Sequence, residues 1–199
     1  MPKENTTLYI ILGLLNHEDL SGYDIKKRID TMISSFWEVG FGQIYPTLSK
    51  LEAQGLVLKR ISETSNGPEK NLYSITEDGK EALIEWLKVP EQKEYTKYEI
   101  LVKLFFGNLA SSKDNQDRIE AFKARQLQNL NMMEIFKTNL KKVLDTDDDH
   151  FFYYLTVLFG EHIYRAYLEW SEQALQLLES KYQNKNHAGE EEKDETTKG

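Results

Sequence analysis

The stretch from Phe36 to Arg60, FWEVGFGQIYPTLSKLEAQGLVLKR, decides how the rest of this 199-residue chain is read. Ile44, Leu48 and Leu51 stand at i, i+4 and i+7, so they share one helix face and point inward. Gln43, Tyr45, Thr47, Ser49 and Lys50 are left facing out. Pro46 fits the first turn of a helix, where its missing N–H is not needed. Gly55 suits the left-handed position that ends one. A short helix with hydrogen-bonding tips and no catalytic group is the kind of element that enters a DNA major groove. An ordinary surface helix has the same composition, so the flanking segments have to decide.

Downstream, residues 56–63 are apolar and β-rich and carry Lys59, Arg60 and Ile61. Residues 64–68, TSNGP, are a dense turn signal. Asn71 to Ile75 alternate as a second strand does. The result is a two-stranded hairpin with Asn66, Gly67 and Lys70 at its tip, a wing placed directly after the candidate reading helix. Upstream, Thr7 is expected to cap a first helix through Leu8, Ile11, Leu12, Leu14 and Leu15, with Gly13 inside it for close packing. Ser21, followed by an acid at Asp24, reads as the cap of a second helix. That helix turns Ile25, Ile29 and either Met32 or Ile33 inward. Its first N–H groups, with Ser21, Gly22, Tyr23 and Lys26, could hold a phosphate. The order helix, helix, reading helix and hairpin is a winged helix-turn-helix layout.

Several of these segments carry a more specific pattern. Ile11-Leu12-Gly13-Leu14-Leu15, Leu20-Ser21-Gly22-Tyr23-Asp24-Ile25, Gln43-Ile44-Tyr45-Pro46-Thr47-Leu48 with Leu51 and Gly55-Leu56, Tyr73-Ser74-Ile75-Thr76-Glu77-Asp78-Gly79 and Trp86-Leu87 occur in the order found in PadR-type transcriptional regulators. The first half of the chain resembles that family closely. The second half agrees in length and helical character, as in its longer members. The resemblance implies a mostly α fold, with an N-terminal winged helix-turn-helix and a C-terminal all-α dimerisation domain. It also implies a bacterial, cytoplasmic homodimer that represses by binding double-stranded DNA. An aromatic or hydrophobic small-molecule effector fits the same resemblance, with no residue here picked out for it.

Composition narrows the field. There is no cysteine, so disulfides, thiol catalysis and thiolate metal sites are excluded. No apolar run approaches the ~20 residues that span a bilayer, and the N-terminus reads as a first helix and not as a signal peptide. The four histidines show no metal-ligand spacing, and no nucleotide or nucleophile motif is present. No metal, no cofactor and no enzymatic activity is therefore expected. The formal net charge of −8 sits awkwardly with DNA. Residues 1–89 hold ten Lys or Arg against thirteen Asp or Glu. A basic patch has to be local, built from Lys26, Lys27, Arg28, Lys50, Lys59, Arg60 and Lys70. Screening over about 8–10 Å makes a local patch sufficient. Lys50 could take a guanine edge or a phosphate, and Gln43 could read adenine or merely cap its own helix.

Thr76 is expected to cap a fourth helix through Ala82, Leu83, Trp86 and Leu87. A polar linker follows over residues 88–96, which makes 1–89 the DNA-binding domain and 90–183 the helical domain. There, helix resumes near Tyr98, breaks at 108–112, is recapped by Ser112 or Asp114 and runs to about Leu144. Ile119, Phe122, Leu130, Met133, Leu140 and Leu144 form a rough inward stripe, which Gln126 and Lys137 interrupt, as on a partly solvated face. The acids of residues 145–149 suit the start of a last helix. That helix opens FFYYLTVLF, apolar nearly all round, a mark of burial on more than one side. Leu155, Phe159, Ile163, Ala166, Trp170, Ala174 and Leu177 then follow steps of four, four and three, twice, across about six turns. The stripe fits a dimer interface, since two half-sites demand two-fold symmetry; packing against the preceding helix is the alternative. Residues 184–199 are polar and expected to be disordered. A helical protein–protein adaptor that keeps the winged helix without binding DNA is the rival reading, favoured by the acidic charge.

Overall fold

The computed structural model describes residues 6–62, 70–91 and 97–196, with the backbone alone for residue 62 and for 183–196. The chain divides into two compact units, Met1–Glu94 and Tyr95–Gly199.

In the first unit, α1 spans Thr6–Leu15 and buries Leu8, Ile11, Leu12 and Leu15. Thr7 is not its cap. It lies within the first turn and is itself buried, on the same side as Leu8 and Ile11. Gly13 is not there for close packing either, because a Cβ at that position meets nothing within 4 Å. A two-residue strand, β1 (Leu20–Ser21), leads into α2 (Gly22–Arg28), which ends in one widened turn over Ile29–Ile33. Ile25 and Ile29 are fully buried. Ile33 packs on the core and Met32 is exposed, which settles that pair.

The reading helix is α3 (Phe41–Ala53). It ends as its glycine requires: Gly55 has φ +72°. The Gly55 N–H donates to the Glu52 carbonyl (3.0 Å), and the Leu56 N–H to the Leu51 carbonyl (2.9 Å), a paired closure of the last turn. The hairpin follows as β2 (Val57–Ser62) and β3 (Lys70–Ile75), antiparallel, with Lys59 opposite Tyr73 and Arg60 opposite Leu72. β1 pairs with the free edge of β3, Ser21 opposite Leu72, so the sheet order is β1-β3-β2 and the wing gains a third strand. The turn bearing Asn66 and Gly67 lies outside the described residues.

Thr76 caps α4 (Glu77–Leu87), accepting from the Gly79 N–H at 3.0 Å. The same hydroxyl donates to the Gly55 carbonyl at 2.8 Å, which ties α4 to the corner after α3. Gly79 is required there, since a Cβ would sit 2.2 Å from the Leu56 carbonyl oxygen. At the far end Trp86 stacks on Tyr9 of α1, centroids 4.6 Å apart and planes at 7°.

The second unit begins with α5 (Glu99–Phe105) and a 3-10 turn over Gly107–Leu109. Ser111, one residue earlier than expected, caps α6 (Ser112–Lys141). Asp114 serves as its partner at the third position: the Asp114 N–H donates to the Ser111 hydroxyl (3.0 Å), and the Ser111 N–H to the Asp114 carboxylate (3.3 Å). The Ser111 hydroxyl also donates to the Asp114 carboxylate (2.6 Å), and that bond, joined by the Ser111 N–H, holds the Asp114 carboxyl below its ordinary value. Asp147 accepts from the Asp149 N–H at 2.9 Å at the start of α7 (Asp148–Thr196). The backbone of α7 stays helical through most of the stretch expected to be disordered from Asn184. Its Glu, Lys and Ala content favours helix, which the charge pattern alone hides.

α6 and α7 pack antiparallel, with Phe122 edge-on to Trp170 and Lys137 opposite Glu161. The two polar residues expected to break the α6 stripe belong to it instead. Gln126 is buried, and Lys137 pairs with Glu161, itself only 5% exposed. Arg165 also binds Glu161 (3.0 Å) and reaches Glu134 (2.7 Å), so the buried carboxylate sits in a network that crosses both helices. The Lys137 bond, joined by Arg165, holds the Glu161 carboxyl below its ordinary value despite burial. At the other end the Tyr98 and Tyr167 hydroxyls bond to each other, and burial pushes the Tyr167 phenol upward. The opening of α7 is not enclosed within one chain: Phe151, Phe152, Leu155 and Phe159 all lie exposed.

A carboxyl lowered in the folded state adds stability above its unfolded value, and that contribution is lost as pH falls through the folded one. Glu161→Gln is therefore expected to destabilise the protein by about 1–2 kcal/mol at pH 7. In urea unfolding, that deficit should shrink below about pH 4.5 and vanish as wild-type Glu161 protonates.

Candidate nucleic-acid interface

Along α3 the inward stripe is Ile44, Thr47, Leu48 and Leu51. Thr47, expected to face out, is buried; its hydroxyl donates to the Gln43 carbonyl at 2.7 Å. The spacing i, i+3, i+4, i+7 contains that position, so the signal was in the sequence. Gln43, Tyr45, Pro46, Ser49 and Lys50 are exposed and share the opposite side. Pro46 is not in the first turn. The helix starts at Phe41, placing the ring in the second turn, where the Gly42 carbonyl has no N–H at residue 46 to receive. The earlier start follows from Gln43, whose side-chain oxygen accepts from the Gly40 N–H at 3.2 Å and closes the N-terminus. Of the two roles open to Gln43, capping is the one present in this structure.

The N-terminus of α2 lies beside this face. Ser21 Oγ accepts from the Asp24 N–H (3.2 Å) and donates to the Asp24 carboxylate (2.5 Å), so the expected cap is in place. Tyr45 joins the two helices. Its ring lies on Gly22 so closely that a Cβ there would be 2.7 Å from Tyr45 Cε1. Phe41 meets the same ring edge-on at 5.8 Å. Tyr45 is thus braced on two sides yet 45% exposed, its hydroxyl at the mouth of α2. Nothing in the sequence linked positions 22 and 45. Tyr23 is exposed on the next residue. Lys70 opens β3 and is exposed, as is Lys59 on β2.

The charges on this face are partly spoken for. Lys26 pairs with Asp30, Arg28 with Glu18 and Arg60 with Asp19. Lys27, Lys50, Lys59 and Lys70 have no carboxylate partner among the described residues. Also among the described residues, no three His, Asp or Glu side chains gather to hold a metal ion, and no helix is long and apolar enough to cross a membrane.

The second candidate surface is the α7 stripe. Phe159 is 66% and Leu177 72% exposed; Leu155 and Ala166 are exposed too. Ile163, Trp170 and Ala174 are half-buried, with Trp170 turned toward Phe122 of α6. The side of α7 against α6 carries Glu161 and Tyr167, with Trp170 at its border. The stripe therefore flanks the α6/α7 seam, and Leu155, Phe159, Ala166 and Leu177 are its exposed members.

A capped helix pair, a half-presented third helix and a three-stranded wing define a winged helix-turn-helix protein. Residues 11–85 match the transcriptional regulator PadR-like family, and residues 96–179 match the virulence activator alpha C-terminal region. The chain is 35% identical over 113 residues to the negative transcriptional regulator PadR of Bacillus subtilis (strain 168); that alignment spans 55% of this chain and 60% of the regulator. It is also similar to the crystal structure of Bacillus subtilis PadR in complex with operator DNA, at 27% identity and a TM-score of 0.76, over 87% of this chain and 99% of that one. The same regulator in complex with p-coumaric acid gives 27% identity and a TM-score of 0.67, over 86% and 97%. The chain belongs to the PadR-like family of transcriptional regulators.

The Gly22–Tyr45 contact has a measurable consequence. Gly22→Ala should cost about 1–3 kcal/mol of folding stability by overpacking against the ring. In a Tyr45→Ala background the same change should cost little, and a denaturant double-mutant cycle reads the difference.

Proposed function

We propose that this chain is a cytoplasmic homodimer that binds double-stranded DNA at a promoter and represses transcription. A small aromatic or hydrophobic molecule would release it. The observation that carries this reading is α3, buried along Ile44, Thr47, Leu48 and Leu51 and exposed along Gln43, Tyr45, Pro46, Ser49 and Lys50. A helix seated so firmly presents its outer tips to a groove at little entropic cost. In this reading Lys50 and Tyr45 reach base edges or phosphates, with Ser49 beside them. Ser21, Tyr23, Lys26 and the N–H of Gly22 hold the backbone, and Lys70, with Asn66 and Gly67, follows the flanking strand. The operator complex of the Bacillus subtilis regulator supports the DNA partner, and its p-coumaric acid complex supports an aromatic effector.

The α7 stripe supplies the two-fold contact. Leu155, Phe159, Ile163, Ala166, Trp170, Ala174 and Leu177 run along one helix and are the best available apolar surface for a second copy. Such a pair puts two α3 helices on one duplex. The effector then acts by favouring a spacing of the helices that no longer matches the two half-sites; about 1–3 kcal/mol of coupling is enough.

In a gel shift against the upstream region of its own gene, Lys50→Ala and Tyr45→Ala should each weaken binding about tenfold. Unchanged binding by both removes the groove-entering role of α3. No binding by the wild-type chain at low salt favours the adaptor reading, which its acidic charge invites. Separately, Phe159→Glu is expected to sediment as a monomer while its helical circular dichroism is kept.

A further inference from the structure

Arg28 and Arg60 are the two arginines in residues 1–94. They come from different elements, the end of α2 and the middle of β2. Both are held by two consecutive acids of the turn between α1 and β1: Glu18 binds Arg28 and Asp19 binds Arg60. Arg60 lies opposite Leu72, which lies opposite Ser21, so its side chain crosses β3 to reach the turn before β1. Asp19 stands two residues before the Ser21 cap, beside the N–H groups proposed above to receive a phosphate. Neither pair is enclosed: Arg60 is 61% and Asp19 33% exposed, and Arg28 and Glu18 are each nearly half exposed. The two carboxylates therefore occupy, within reach of solvent, the partners that DNA phosphates would take.

We propose that the Glu18–Asp19 turn is a built-in phosphate surrogate, holding both arginines of the first unit and restraining its sequence-independent affinity for DNA. This rests on the DNA-binding reading above. Guanidinium is the side chain best suited to bidentate contact with either a carboxylate or a phosphate, so the two ligands compete for one fork. DNA that displaces a carboxylate gains one contact and loses another, and it leaves a negative charge facing its own backbone. The penalty falls hardest on unrelated DNA, where attraction to phosphates supplies nearly all of the binding. At an operator, base contacts add to the balance and the exchange goes through. The acidic composition of the first unit is then a device for discrimination and not an obstacle to binding.

The test compares the full-length chain with Asp19→Asn, Glu18→Gln, Arg60→Ala and Asp19→Asn/Arg60→Ala by fluorescence anisotropy. The probes are a duplex of unrelated sequence and the upstream region of the gene, each across a salt series. Asp19→Asn should bind the unrelated duplex about tenfold more tightly. Its log affinity should fall more steeply with log salt, by about one unit of slope for the arginine set free. Glu18→Gln should act in the same direction, with a smaller gain for both variants on the upstream region. The gain should disappear in Asp19→Asn/Arg60→Ala. The proposal is overturned if Asp19→Asn does not tighten binding while the wild type still binds, or if the gain survives loss of Arg60, since removal of any acid would then do the same. Absence of all DNA binding, upstream region included, takes down the functional reading itself and this proposal with it.

Discussion

Everything the first unit does depends on how α3 is seated. Four side chains, Ile44, Thr47, Leu48 and Leu51, are driven below the surface, and the three aliphatic ones are fully enclosed. Rotating the helix by one residue would expose three of the four and bury either Gln43 and Lys50 or Tyr45 and Glu52 in their place, so its azimuth is fixed by several kcal/mol of apolar burial. Its two ends are fixed as well, by Gln43 folding back on Gly40 and by the left-handed Gly55. Thr76 then carries that constraint into α4 through the Gly55 carbonyl. A proline in the second turn is tolerable because the carbonyl it orphans belongs to Gly42, which is exposed and can bond to water. The tips of Ser49 and Lys50 are thus positioned by interactions that do not involve them, while Gln43 takes part in fixing the helix end.

Tyr45 shows how that rigidity extends to a neighbouring element. Its ring needs a residue without a side chain at position 22, and Gly22 is also the first residue of α2. One glycine therefore sets both the distance between the two helices and the place of an aromatic hydroxyl beside the N-terminal N–H groups of α2. Pairwise contact of this kind couples the outer face of α3 to the start of α2 without any hydrogen bond between them. It also gives the buried Gly22 its role in packing.

Much of this was legible before any coordinates. The hydrophobic spacing of α3, the Ser21 and Thr76 caps, the glycine stop at 55 and the two hairpin strands are local signals, and each falls within a turn or two of its assigned place. What was not legible is long-range. β1 is two residues long and exists only because β3 offers it an edge. Lys137 looks solvated because its partner, Glu161, lies on the other helix; Gln126 is buried with its amide oxygen accepting from Asn129, one turn on. Thr47 was misassigned for a different reason. Its polarity outweighed a spacing that already placed it inside, and its hydroxyl is satisfied by the helix itself.

The exposed apolar surface of α7 follows from the same distinction between near and far partners. A helix that packs against one neighbour needs one stripe, and α7 meets α6 through Glu161, Tyr167 and Trp170. Phe151, Phe152, Leu155 and Phe159 are surplus to that contact. Large apolar groups clustered in the open are unusual on a protein that works alone, since each contributes hydrophobic free energy only when covered. A second copy of the chain is the economical cover, because a two-fold axis applies the same patch twice and needs no further sequence to specify it. The buried ion network at Glu161 then has a place in the design. Charged groups that must find one another across α6 and α7 favour a single register of the pair, and a fixed register is what the dimer contact proposed above requires of the stripe.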